Sequence, residues 1–115
     1  MQHVTTFYTK RGFDYKTAEY FASGRRRATA VKPLPDKSPL VTFDNGEMRF
    51  YVMTPLIYPD TVFAFLADES AFERVHLDGN HDIAWDIDPQ VDSAVVWNNK
   101  VDISADTCYL EGKVA

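Results

Sequence analysis

The residues best suited to chemistry lie in one acidic run, Asp78-Gly79-Asn80-His81-Asp82-Ile83-Ala84-Trp85-Asp86-Ile87-Asp88-Pro89. Asp78, Asn80 and Asp82 fall on the first three ligand positions of an EF-hand calcium loop. The match then stops. Ile83 stands where that loop needs glycine, and Pro89 where it needs a bidentate glutamate. His76 and His81, with Asp82, offer a second metal-ligand set, because two imidazoles and a carboxylate suit a divalent ion. Their spacing of five fits neither a helix face nor a strand face, and nothing else here resembles a zinc spacing. No metal and no cofactor is expected.

Cys108, the single cysteine, has no histidine near it in sequence to act as an activating base, so it reads as a core residue. No phosphate-binding glycine loop, Gly-x-Ser-x-Gly elbow or distinct pair of catalytic carboxylates is present. No catalytic residue is assigned. Two clusters remain as candidate partner-binding residues. Asp82, Asp86 and Asp88 alternate with Ile83, Trp85 and Ile87, which predicts a half-buried strand with an acidic outer face. Arg25, Arg26 and Arg27 form a basic cluster that can meet phosphates or lie in a solvated linker. Trp85 and Trp97 each fall in a predicted strand; they offer an aromatic binding surface, but core filling is the ordinary role.

The elements that must hold these residues divide into a head, 1–27, and a body, 28–115. In the head, Thr5 to Thr9 reads as a short strand. Asp14 caps a predicted helix from Tyr15 to Ser23, and Gly24 ends it in the left-handed conformation. In the body, Ala28 to Leu34 predicts an edge strand, because it contains Pro33. Leu40 to Phe43 and Glu47 to Met53 flank Asn45-Gly46, a hairpin signal for a type I′ turn with φ > 0 at both central residues. Met48, Phe50 and Val52 then share one face. Thr61 to Ala67 predicts a short helix with Val62, Phe63 and Leu66 inward, and Asp68 to Arg74 a further helical turn with Phe72 inward. Val75 to Leu77 and Ser93 to Trp97 read as strands, Asn98-Asn99 as a turn, and 104–109 as a helix capped by Ser104.

The 115 residues make a chain of single-domain size, 45% hydrophobic and 14% aromatic, rich enough in apolar residues to rule out general disorder. A lone cysteine suits a reducing cytoplasm, and no signal peptide or membrane span is read. The net charge of −5 is unevenly placed. Residues 1–32 carry seven bases against two acids, and residues 33–115 five bases against fifteen acids. A basic head on an acidic body either docks on itself or meets a partner.

Several segments together carry a likeness. They are Val31-Lys32-Pro33-Leu34-Pro35-Asp36, Leu40 to Glu47, Thr54-Pro55-Leu56, Val62 to Leu66, Ala71 to Val75, Val96 to Asn99 and Val101 to Tyr109. In order and spacing, residues 28–112 resemble the bacterial family called domain of unknown function 2442. The resemblance implies a small α+β domain on an antiparallel sheet. Some members look like parts of two-gene modules of the toxin–antitoxin kind. The family has no established catalytic residues to carry over. This chain departs from it in the head, in the longer Trp85–Trp97 segment with Pro89 to Ser93 inserted, and at Cys108, where leucine is usual.

The expectation is therefore an α+β fold. A small antiparallel sheet of four or five strands has short helices, 61–74 and 104–109, packed on one face. The expected function is a non-catalytic protein-interaction module. It could be one partner of a toxin–antitoxin-like or phage-related system, or an acidic inhibitor of a nucleic-acid-binding protein. The alternative is a nucleic-acid-binding accessory protein acting through Arg25, Arg26 and Arg27. A protein partner is expected, no membrane is, and free sheet edges leave a homodimer open.

Overall fold

The computed structural model describes residues 19–22 and 24–115. The predicted strand at 5–9 and most of the helix at 15–23 lie outside them. Residues 19–22 are helical, and Gly24 takes φ +97° just beyond them. In chain order the elements are β1 (Ala28–Leu34), β2 (Ser38–Phe43), β3 (Met48–Phe50), α1 (Glu69–Glu73), β4 (His76–Leu77), β5 (Ile83–Asp86), β6 (Lys100–Ile103), α2 (Ala105–Glu111) and β7 (Lys113–Val114). Short 3₁₀ turns occupy Thr54–Leu56, Ala64–Ala67 and Trp97–Asn99.

The fold is α+β, with its strands divided between two antiparallel sheets. The first has the order β1-β2-β3-β7 and the second β4-β5-β6. β1 lies at an edge, so the missing amide of Pro33 breaks no interior ladder. The β2–β3 hairpin pairs Leu40 with Phe50 and Thr42 with Met48. Its turn differs from the expected type I′. Among the described residues of the turn only Gly46 has positive φ, +85°. The Phe43 amide donates to the Glu47 carbonyl at 2.8 Å and the Gly46 amide to the Phe43 carbonyl at 2.9 Å. The loop is thus Asp44-Asn45-Gly46, a three-residue turn with glycine in the left-handed position. The Asn45 side chain accepts the Glu47 amide instead of its backbone turning left-handed.

β3 ends at Phe50, earlier than expected, and the chain turns inward so that Met53 is fully buried. The predicted helix at 61–67 is not continuous. Asp60 sits at φ +73°, and only the 3₁₀ turn Ala64–Ala67 forms. Leu66 is buried as expected, but Val62 is exposed. α1 buries Phe72 as expected. Ser93 to Trp97 forms no strand, for reasons given below. At the end, Ser104 caps α2 as predicted, its hydroxyl accepting the Thr107 amide at 3.1 Å.

The core lies between the sheets and the helices. Val41, Phe43, Met53, Leu66, Phe72, Ile83, Trp85 and Cys108 are all at most 2% exposed. Trp85 packs beside Phe72, ring centroids 5.7 Å apart, and its indole N–H donates to the Phe72 carbonyl at 3.1 Å. The large ring is thereby buried with its one polar atom satisfied. Among the described residues no helix is long and apolar enough to cross a membrane.

Candidate interaction surface

The second sheet turns Leu77, Ile83, Trp85, Val101 and Ile103 toward the core. By strand alternation, the opposite face carries His76, Ala84, Asp86, Lys100 and Asp102. His76 and Asp102 both pair with Ala84, and Asp86 pairs with Lys100. Of Asp82, Asp86 and Asp88, only Asp86 lies in β5; Asp82 precedes the strand and Asp88 follows it, so they do not make the continuous face predicted from the alternation. Ala84 is buried, as are Ile83 and Trp85, so the strand is covered on both sides. Ile87 lies beyond its end and is exposed.

Each carboxylate is also engaged locally. Asp78 closes the β4–β5 hairpin. One oxygen accepts the amides of Asn80 at 2.8 Å and Asp82 at 3.0 Å, and the other meets the Lys100 ammonium at 2.8 Å. Burial alone would raise this carboxyl, but Lys100 and the two amides outweigh it and hold Asp78 below the usual range. Asp82 accepts the Ala105 amide at 2.9 Å, at the start of α2. Asp86 accepts the Ser93 hydroxyl at 2.6 Å. Asp88 accepts the Gln90 amide at 3.0 Å.

Asp78, Asp82 and Asp102 do bring oxygens within 4.8 Å of one another. Lys100 already serves this cluster, 3.7 Å from Asp102 as well as 2.8 Å from Asp78. Toward Asp78, Asn80 and Asp82 present their backbone amides. Among the described residues no group of three metal-ligating side chains includes a histidine. The His76 Nδ1 faces the Arg74 carbonyl and the His81 Nδ1 the Ala28 carbonyl, which separates their duties.

Ser93, His76 and Asp86 line one cleft of about 480 Å³. Their connectivity is not that of a nucleophilic triad. Ser93 donates to the aspartate, and the His76 Nε2 lies 3.9 Å from that same carboxylate oxygen. A serine bonded to a carboxylate in this way has no imidazole taking its proton. Cys108 is equally unsuited to attack. It is buried, and desolvation pushes its thiol up to about 12.

The unexpected feature is the loop 87–99, which joins β5 to β6. Its ends meet where the Ile87 amide donates to the Asn99 carbonyl at 2.7 Å. The buried Asn99 side chain organises the interior. Its oxygen accepts the Asp88 amide at 2.9 Å, and its nitrogen reaches the carbonyls of Asp88 and Val91 and the Ser93 hydroxyl, each at 3.0 Å. Asp92 turns the chain. Its side chain accepts the Ala94 amide, and its carbonyl accepts the amides of Val95 and Val96. These bonds keep the β-branched run 95–96 out of a strand ladder, although Val96 itself stays extended. The result is a compact Ω-type loop that exposes an apolar patch beside polar residues. Trp97 is 83% exposed and Val95 78%, with Val96 and Ile87 also exposed. The expected core role therefore holds for Trp85 and is reversed for Trp97.

Arg25, Arg26 and Arg27 sit elsewhere, against α2. Asp106 accepts from the Arg25 guanidinium at 3.1 and 2.5 Å and from the Tyr20 hydroxyl at 2.6 Å. The same hydroxyl accepts the Arg26 amide at 2.8 Å. Burial, and then the bond to Asp106, raise the Tyr20 phenol, so it remains a donor at neutral pH. Tyr20 stacks on Tyr109 with centroids 5.2 Å apart. Arg26 lies 3.7 Å from Asp44. Arg27 is exposed, and among the described residues its side chain makes no ion pair. The two candidate clusters thus form separate regions, though His81 and Asp82 reach the arginine side through the hairpin end.

Comparison with family models, with curated proteins and with solved structures finds no match. From sequence, Trp97 offers part of an aromatic binding surface but is expected in the core, and Asn99 reads only as part of a turn. The usable signal was the pair Val95-Val96 beside Trp97 and Asn98-Asn99. A contiguous apolar run in a short segment rich in turn formers has no inner face large enough to hide all of it.

Proposed function

We propose that this chain is a non-catalytic protein-interaction module acting through the loop 87–99. The observation that carries the reading is Trp97, 83% exposed on a loop fixed from within by Asn99. An exposed tryptophan on an ordered support covers a large contact area at small entropic cost, and such residues dominate interface energetics. The resemblance of residues 28–112 to the family named above adds the reading of one partner in a two-component bacterial system. The alternative through Arg25, Arg26 and Arg27 has weaker support. Arg25 and Arg26 face carboxylates of the body, which leaves Arg27 to meet a phosphate.

The test is capture from the native host by tagged full-length chain, compared with Trp97→Ala. Support is a protein retained at stoichiometric level by the wild type and lost by a variant of unchanged thermal stability. Equal retention by both forms, or recovery of nucleic acid alone, would sink the reading.

A further inference from the structure

Resting on that reading, we infer that the loop engages a basic protein partner at two adjacent points. An aliphatic or aromatic side chain of the partner packs on Trp97. A neighbouring arginine or lysine enters the cleft walled by Asp86 and Asp92. The cleft, about 480 Å³, is lined by both carboxylates together with His76, Asp78, Ser93 and Lys100. Lys100 and Asp78 neutralise each other at 2.8 Å. Among the described residues no lysine or arginine comes within ion-pair distance of Asp86 or Asp92. His76 lies 3.9 Å from Asp86, and Lys100, the cross-strand neighbour of Asp86, turns to Asp78 instead. Each carboxylate has one oxygen held in place, Asp86 by Ser93 and Asp92 by the Ala94 amide, and among the described residues its second oxygen makes no hydrogen bond.

The two points belong to one rigid unit. Ser93 bonds to both Asp86 and Asn99, and Trp97 opens the turn that ends at Asn99. An apolar patch on the same loop as Asp92, with Asp86 tied to that loop through Ser93, selects a cationic partner and repels nucleic acid and acidic proteins. The surplus of ten negative charges over residues 33–115 steers the same partner toward it.

The experiment titrates isotope-labelled full chain with three synthetic peptides, alternating leucine with arginine, with serine or with glutamate, followed by nuclear magnetic resonance. The arginine peptide is expected to move the Trp97 indole and the Ser93 and Asn99 signals, and to bind at least about fivefold more tightly than the serine peptide. The glutamate peptide is expected not to bind. Trp97→Ala should weaken the arginine peptide by about thirtyfold, the effect of losing a hot-spot aromatic. Asp86→Asn with Asp92→Asn should abolish the preference for arginine. Asp92→Ser keeps an acceptor for the Ala94 amide and should lower the preference without loosening the loop.

If charge makes no difference while Trp97 still matters, the inference falls and the interaction module stands. If neither matters, or if the chain self-associates through Trp97 before any peptide is added, this inference is overturned. Lysate capture then decides the broader reading separately.

Discussion

Asn99 replaces a strand ladder with four hydrogen bonds from one side chain, and the display of Trp97 depends on it. Removing it by Asn99→Ala leaves the Asp88 amide and the Val91 carbonyl without this partner, while the Asp88 carbonyl keeps the Val91 amide. The expected loss is about 1–3 kcal/mol, read by thermal or urea unfolding. Near-ultraviolet circular dichroism should also lose the Trp97 contribution. Asp78 offers a pH-dependent counterpart. Its folded pKa lies below the ordinary 3.8, so its stabilisation is complete above that value and fades as pH falls through the folded one. Asp78→Asn should therefore be less stable than wild type at pH 7, with the gap closing in acid. Parallel unfolding curves at each pH would contradict the assignment. At this scale Cys108 was legible, because a lone cysteine in an apolar helical stretch has few other roles. The two tryptophans were not separable, since residue type alone carries no information about which strand persists.

At the level of elements, α2 and β7 are joined through Gly112, which closes the helix by donating its amide to the Cys108 carbonyl at 3.1 Å. A Cβ at this position would fall 2.2 Å from the Cys108 carbonyl oxygen and 3.2 Å from that of Phe50. Both neighbours are backbone, so neither gives way without moving α2 or β3. Gly112→Ala is expected to lower stability by about 1–3 kcal/mol, measured by denaturant unfolding. Elements set by local chemistry were readable in advance. Ser104 with its cap, Phe72 on α1 and the hairpin at Gly46 all follow from residues within a few positions of one another. The failures share a cause. At 61–67 and 93–97, side chains bond to nearby backbone: the Thr61 hydroxyl ties its segment to the preceding Leu56 and Tyr58 carbonyls, and Asp92 takes the Ala94 amide that a strand would have used. Composition does not report which of these competing bonds wins.

Across the whole molecule, the head and body meet through Asp106. This one carboxylate holds Arg25 and Tyr20 together, and Tyr20 stacks on Tyr109 of α2. Asp106→Asn removes the ion pair while keeping size and some hydrogen bonding. It should speed tryptic cleavage after Arg25, Arg26 or Arg27 severalfold and shift the melting temperature little, because the Arg25 guanidinium is largely exposed. Unchanged cleavage rates would show that the Arg25–Asp106 pair is not what secures the segment. The uneven charge along the chain was visible from the sequence, and complementarity was one of its two expected outcomes. Which acid meets which arginine depends on a fold that brings residues 81 apart in sequence into contact. The division into two sheets was equally out of reach, since it depends on pairings among distant short strands.

The contrast between the two indoles has an optical consequence. Trp85 is shielded, with its N–H bonded to a carbonyl, whereas Trp97 stands in water. Buried indoles emit toward the blue and solvated ones toward the red, so the chain carries two built-in fluorophores in opposite surroundings. Iodide reaches the second far more readily than the first. The quenchable red component therefore watches the loop, and the protected blue component watches the core. Occupation of the surface and loss of the fold thus give separable signals in one unlabelled sample.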